Sequence, residues 1–108
     1  MPITVGQLCN SNNYLYNLCM IAGENGLDNT VQWVHTLEDA EVAEFLHGGE
    51  LVFTTGIAHK DSKWLLPFAK KLKDNGCSGI VVNLGPYIKE LPEELRLYCS
   101  EVDFPLFT

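Results

Sequence analysis

Hydroxyl residues and a glycine directly follow an apolar stretch in the middle of the chain. The run 48–56 reads Gly-Gly-Glu-Leu-Val-Phe-Thr-Thr-Gly, so Thr54, Thr55 and Gly56 come immediately after Leu51-Val52-Phe53. A second apolar run, Ile80-Val81-Val82, is likewise followed by polar and small residues. In open α/β sheets, ligands bind in the crevice beyond the carboxyl ends of the strands. If the two runs are neighbouring strands, we expect their loops to share that crevice.

The predicted site combines side-chain and backbone hydrogen-bonding groups. His35, near the end of a third predicted strand, can join them. This set suits a small polar metabolite, either neutral or anionic. We expect the metabolite to be held by hydrogen bonds rather than chemically transformed. The predicted ligand-binding residues are His35, Thr54, Thr55, Gly56, Asn83 and Gly85. The competing interpretation is that these residues only cap turns, as hydroxyl and glycine residues commonly do.

The sequence contains little that indicates a catalytic, metal-binding or nucleotide-binding site. The three histidines, His35, His47 and His59, form no local ligand pair such as H-x-x-x-H. Cys77 has no patterned base or oxyanion site beside it, and the glycines match neither a Walker A nor a G-x-G-x-x-G motif. The four cysteines contain no C-x-x-C pair. The sequence therefore predicts no catalytic residue, no metal site and no cofactor.

Charge and composition exclude some partners. The chain has 108 residues and a formal net charge of −7, which repels phosphate, so we do not expect this domain itself to bind DNA. No segment is apolar enough to span a membrane, and no secretory signal pattern is present. The expected location is the cytoplasm.

Capping and stop residues predict four helices along the chain. Thr4 and Gln7 suit a capping box for a short helix over 5–9, and a second short helix is predicted from Asp39 to about Leu46. The longest helix is expected to be capped by Asp61 or Ser62 and to reach about Asn75; Pro67 would either kink it or move its start later, and Gly76 stops it. Pro92 suits the first turn of a last helix.

The strand pattern predicts a single α/β domain. Residues 18–22 and 31–36, around the turn signal Asn25-Gly26, are expected to form an N-terminal hairpin. From Val31 onward strands alternate with helices, which predicts βαβ units and a largely parallel sheet flanked by helices. Residues 104–107 predict a final strand, and Pro105 favours an edge position for it.

Several segments, in order, are similar to one known family. They are Ile3-Thr4-Val5-Gly6, residues 22–28 (Ala-Gly-Glu-Asn-Gly-Leu-Asp), Val31-Gln32-Trp33-Val34-His35, the run 48–56, residues 64–68 (Trp-Leu-Leu-Pro-Phe), Gly79-Ile80-Val81-Val82 and Phe104-Pro105-Leu106. Together they resemble the PucR-type N-terminal domain of purine catabolism regulators over nearly the whole chain.

The resemblance implies a bacterial regulatory domain. In that family a C-terminal helix-turn-helix binds the DNA, and none is present in residues 1–108. We therefore expect residues 1–108 to be the N-terminal part of a longer regulator, acting as a ligand-sensing or interaction domain, with homodimerisation as a further expectation. Two alternatives stay open: a dimerisation module without a ligand, and a small enzyme or phosphoryl-transfer fragment.

Overall fold

The structure, a computed structural model, describes residues 3–8, 19–38, 46–57 and 62–108. The strands are β1 (Ile3–Thr4), β2 (Met20–Ala22), β3 (Thr30–Val31), β4 (Trp33–Thr36), β5 (Glu50–Thr54), β6 (Gly79–Val82) and β7 (Leu106–Phe107). The helices are α1 (Val5–Leu8), α2 (Leu65–Asp74) and α3 (Glu93–Glu101), with a 3₁₀ turn at Glu24–Gly26. The helix predicted from Asp39 lies outside the described residues, except for Leu46.

A mixed five-stranded sheet organises the domain, in the order β2-β7-β6-β5-β4. Strands β4, β5, β6 and β7 run parallel, and only β2 is antiparallel to its neighbour. Helix α2 connects β5 to β6, and α3 connects β6 to β7. The predicted α/β class with a largely parallel sheet is therefore confirmed.

The two faces of the sheet are covered differently. Helices α2 and α3 pack on one face, where Phe68, Leu72 and Leu95 meet Val52 and Ile80 in one buried cluster. On the other face Leu51, Val81 and Phe107 pack against Val5 of α1 and Val31 of β3. Because β5 and β6 are covered on both sides, they are continuous apolar runs, as the sequence indicated.

The predicted N-terminal hairpin is wrong in its pairing. Residues 20–22 pair with β7, and β3 pairs with β1. The Asn25-Gly26 signal forms a 3₁₀ turn that packs under the chain after α3. A Cβ on Gly26 would lie 2.0 Å from the Asp103 carbonyl oxygen, and one on Gly23 would lie 2.1 Å from that of Phe104. This close tertiary contact overrides the local hairpin preference.

The helix ends follow the sequence signals closely. The Thr4 backbone N–H donates to Gln7 Oε1 at 2.9 Å, and the Gln7 N–H donates to Thr4 Oγ1 at 3.1 Å, so the predicted capping box forms. Helix α2 begins at Leu65, which places Pro67 within its first turn, where no backbone N–H is needed. Gly76, at φ 79°, ends the helix as predicted.

The edge position expected for the last strand is also wrong. Strand β7 lies inside the sheet, between β6 and β2. Pro105 is compatible with this because it precedes the strand and contributes its carbonyl, which accepts from the Ile80 N–H at 2.9 Å. A proline lacks a backbone N–H but keeps its carbonyl, and the pairing with β6 at this position uses only the carbonyl.

Candidate functional site

The carboxyl ends of three parallel strands meet at one edge of the sheet. Strands β5 and β6 are paired neighbours, with Thr54 opposite Val82, so the predicted neighbourhood of their loops is correct. Strand β4 lies on the other side of β5 and leads into Leu37 and Glu38. We call this region, residues 37–38, 54–56 and 83–88, the carboxyl edge.

Residues 54–56, here called the threonine loop, bind a carboxylate of the chain itself. Thr54 Oγ1 donates to Glu38 Oε1 at 2.9 Å, and Thr55 Oγ1 donates to Glu38 Oε2 at 2.9 Å. The Thr55 N–H lies within 3.0 and 3.2 Å of the two oxygens. The Gly56 N–H donates to Oε1 at 3.0 Å. Two hydroxyls and two backbone N–H groups therefore converge on one carboxylate.

The hydrogen bonds change the acidity of Glu38. Partial burial acts to raise its pKa, but donors from Thr55, Thr54 and Gly56 outweigh burial and lower the pKa below the usual value of a glutamate. Hydrogen bonding to the charged form is what favours ionisation. The threonine loop is thus built to stabilise a negative charge.

The conformation of Gly56 forms part of the loop. Its φ of 81° is in the left-handed region, and a Cβ there would lie 2.5 Å from Ile88 Cγ1. Ile88 is held over it because its carbonyl accepts from the Gly85 N–H at 2.8 Å. Glycine is therefore required both by the backbone and by the space.

In the described part of the chain, the side chains of the other predicted site residues, Asn83 and His35, make no hydrogen bond to the Glu38 carboxylate, and Gly85 has no side chain that could. The Asn83 N–H donates to the Thr54 carbonyl at 2.8 Å, but the Asn83 side chain is exposed and makes no hydrogen bond within the described residues. Gly85 is exposed, and its N–H is used by Ile88. His35 is exposed on the edge strand, in register with Val52, and has no side-chain hydrogen bond to the cluster. Whether any of the six binds a ligand stays a prediction.

Sequence reasoning missed Glu38. It comes two residues after β4, and only the pairing of β4 with β5 brings it to the threonine loop. An acidic residue just beyond a predicted parallel strand, level with a Thr-Thr-Gly loop on the next, is the signal that could have identified it.

Burial disfavours nucleophilic chemistry at Cys77 and Cys99. Burial raises the pKa of Cys77 to about 12, with the nearby Glu50 carboxylate adding to the effect. Burial alone raises the pKa of Cys99 to about 12. Both thiols are protonated at neutral pH and are poor nucleophiles. Among the described residues, no cluster of histidine, cysteine and carboxylate side chains could hold a metal ion, and no helix could cross a membrane.

Comparison with known proteins relates the chain to one family and to a protein of that kind. Residues 8–108 match the model of the family described as purine catabolism regulatory protein-like. The chain is also 29% identical, over 91 residues, to the purine catabolism regulatory protein of Bacillus subtilis (strain 168). That alignment covers 83% of this chain but only 17% of the relative, so the chain spans about a sixth of that protein's length.

Proposed function

We propose that this chain, which belongs to the purine catabolism regulatory protein-like family, is the sensory part of a longer bacterial transcription regulator. In this proposal it binds a small anionic metabolite at the threonine loop, and DNA is bound by a part of the regulator beyond these residues. The net charge of −7 supports the assignment of DNA binding to another part of the regulator, because an acidic domain repels the DNA backbone. The relative's name supports a role in purine catabolism.

One observation carries the sensing proposal: the threonine loop already holds a carboxylate. The donors on Glu38 are two hydroxyls and two backbone N–H groups, which would serve the acid group of a ligand equally well. Glu38 is only partly buried, so it can move aside without opening the core. A ligand at this site must then compete with a side chain tethered beside it.

Competition between Glu38 and the ligand predicts the direction in which ligand affinity changes when Glu38 is removed. Removing Glu38 frees the loop, so Glu38→Ala should bind an anionic effector more tightly than the wild type. A loop that is open ~10% of the time would gain about tenfold in affinity. Thr54→Val, which removes one donor, should bind the same effector more weakly.

A thermal-shift screen of small carboxylates and purines, run on the wild type and both variants, tests this. Glu90→Gln provides a control, since Glu90 is exposed and makes no hydrogen bond to the loop within the described residues. Hits that stabilise Glu38→Ala more than the wild type, and Thr54→Val less, support the proposal. A screen without hits on any of the proteins, or hits of equal size on all, would remove the threonine loop as the sensor site.

The two buried thiols of the described residues are not activated as nucleophiles, which favours sensing over catalysis. The pKa values of Cys77 and Cys99 are both raised to about 12. The best-defined polar cluster, around Glu38, consists of donors to a charge rather than a nucleophile and a base. We therefore propose a binding domain without enzymatic activity.

A specific observation favours self-association as a second role. Strand β4 is an edge strand of the sheet, and Trp33 and Val34 are 57% and 46% exposed on it. The Trp33 N–H donates to the carbonyl of Gly49, just before β5, and the Leu37 N–H donates to that of Phe53 in β5, so Val34 and Thr36 direct their backbone groups outward. An edge strand can pair antiparallel with its own copy about a two-fold axis.

The self-association role is tested by the mass of the chain in solution. Sedimentation equilibrium of the wild type should show a concentration-dependent dimer, and Val34→Lys should abolish it because a charge at an edge strand blocks pairing. Leu97→Lys, an exposed apolar position on α3, is the control. A strictly monomeric wild type would exclude this role for the isolated chain.

A further inference from the structure

A second cleft lies at the opposite edge of the sheet. It has a volume of about 350 Å³, within the size range of small-molecule sites. Its walls come from the residues just before β4, β5 and β6 and from the end of α2, so it opens at the amino ends of the parallel strands. The lining residues are Asn29, Thr30, Gln32, Gly49, Lys73, Gly76, Cys77 and Ser78. We call it the amino-edge cleft.

Hydrogen bonds tie the walls of the cleft to one another. The Gly49 N–H donates to the Gly76 carbonyl at 2.9 Å, and the Gln32 N–H donates to the Gly49 carbonyl at 2.8 Å. Across the other side, Asn29 Nδ2 donates to the Ser78 carbonyl at 3.2 Å, and Ser78 Oγ donates to the Thr30 carbonyl. The cleft is therefore pre-formed, which lowers the entropic cost of binding.

Two glycines form backbone turns in the walls of the cleft. Gly49 and Gly76 have φ values of 80° and 79°, in the left-handed region. A Cβ on Gly49 would lie 3.2 Å from Gln32 Cγ and would press that side chain out of place. The backbone turns that shape the cleft thus depend on residues without side chains.

The lining retains groups that can bind a ligand. The Gln32 carboxamide is exposed and makes no side-chain hydrogen bond within the described residues, and the same is true of the Lys73 ammonium. Asn29 uses its Nδ2 on Ser78, which leaves its Oδ1 as an acceptor. Among the described residues of the lining, only Lys73 is charged. The cleft therefore combines one positive charge with amide donors and acceptors.

We propose that the amino-edge cleft binds a small, singly charged carboxylate that also carries an amide-like group. The carboxylate would pair with Lys73, and the amide would bond the Gln32 and Asn29 carboxamides. This site is independent of the threonine loop, because the two lie at opposite ends of the same strands. It goes beyond the proposed function by giving the domain a second ligand site with its own cation.

The probe that tests the site is succinamate, which carries one carboxylate and one carboxamide, with neutral succinamide as its matched control. Amide chemical shifts of the ¹⁵N-labelled chain report where each probe binds. Succinamate should produce saturable shifts at Gly49, Gly76 and Lys73. Succinamide should bind roughly tenfold more weakly, because it lacks the charge that pairs with Lys73.

Matched variants identify the binding groups. Lys73→Met should weaken succinamate binding roughly tenfold, the effect of losing one charge-assisted hydrogen bond. Lys71→Met is the control, since Lys71 is exposed in the same last turn of α2 but does not line the cleft. Gln32→Met keeps the packing on Gly49, removes the carboxamide and should weaken binding severalfold.

Three results would overturn the proposal. They are the absence of saturable shifts at the cleft, an equal loss of binding in Lys71→Met and Lys73→Met, and succinamide binding as tight as that of succinamate. Shifts confined to Thr54, Thr55 and Gly56 would also overturn it and would instead support the threonine loop. The two proposed sites can therefore fail separately.

Discussion

Glu38 and Thr55 are joined by hydrogen bonds through both oxygens of the carboxylate. The Thr55 N–H lies 3.0 Å from Oε1, and the Thr55 hydroxyl donates to Oε2 at 2.9 Å. This pair connects the ends of two adjacent parallel strands across the edge where a ligand was expected. The chain thus carries, within its own structure, an example of the anion that its loop can bind.

Neutralising Glu38 should reduce stability in a pH-dependent way. Glu38→Gln should lower the free energy of unfolding by about 1–2 kcal/mol at pH 7, since hydrogen bonds to a charged acceptor are lost or weakened. Because the folded-state pKa is lowered, the ionised carboxylate stabilises the fold above the unfolded pKa of about 4.3. This contribution is lost as the pH falls through the lower, folded pKa.

Urea denaturation of the wild type and Glu38→Gln across this range measures the effect. The difference between the two proteins should be largest near neutral pH and should shrink in acid. Glu90→Gln, at an exposed position, should differ little from the wild type at any pH. A Glu38→Gln difference that stays constant from neutral to acid pH would contradict the assigned role of the ionised carboxylate.

Thr54 and Asn83 should respond differently to substitution. Thr54 is fully buried and donates to Glu38, so Thr54→Val should cost about 1–2 kcal/mol of stability, whereas Thr54→Ser keeps the hydroxyl. The Asn83 side chain is exposed and only its backbone is used, so Asn83→Ala should stay within about 0.5 kcal/mol of the wild type. Thermal melts compare the variants directly, and equal losses in Thr54→Val and Asn83→Ala would contradict the geometry.

The sequence predicted the position of the threonine loop but not that the Glu38 carboxylate binds to it. Strand β5 ends at Thr54, β6 ends at Val82 just before Asn83, and α2 is stopped at Gly76; these ends follow local patterns of apolar runs and glycines, and the structure confirms them. Glu38 reaches the loop only through the non-local pairing of β4 with β5. The Asn25-Gly26 turn misled for the same reason, because the contact with residues 103–105 is invisible to local propensity.

Two glycines of the predicted site provide a matched pair. Gly56→Ala adds a Cβ 2.5 Å from Ile88 Cγ1 at a φ of 81°, so the variant should lose about 2–4 kcal/mol through strain and overpacking. Gly85→Ala adds a Cβ with no atom within 4 Å, and it should be nearly neutral. Chemical denaturation separates the two. A tolerated Gly56→Ala would show that the loop does not need its left-handed glycine.

Alkylation should distinguish Cys19 from Cys77. Cys19 is exposed, whereas Cys77 and Cys99 are buried. With a pKa of about 12, the Cys77 thiol is ionised in only about one molecule in ten thousand at pH 8. Iodoacetamide should modify Cys19 well before Cys77 in the native protein, as read by peptide mass spectrometry. Comparable rates at the two positions would contradict the burial of Cys77.

The most direct test of the threonine loop as an anion receptor is rescue of Glu38→Ala by acetate. Melting temperatures of the wild type, Glu38→Ala and Glu38→Ala/Thr54→Val are compared in sodium acetate and in sodium chloride at equal ionic strength and pH 7. Acetate should raise the melting temperature of Glu38→Ala toward that of the wild type, because it restores the missing carboxylate. It should leave the wild type almost unchanged and should rescue the double variant less. Equal melting temperatures of Glu38→Ala in the two salts would contradict the claim that this loop accepts an external anion.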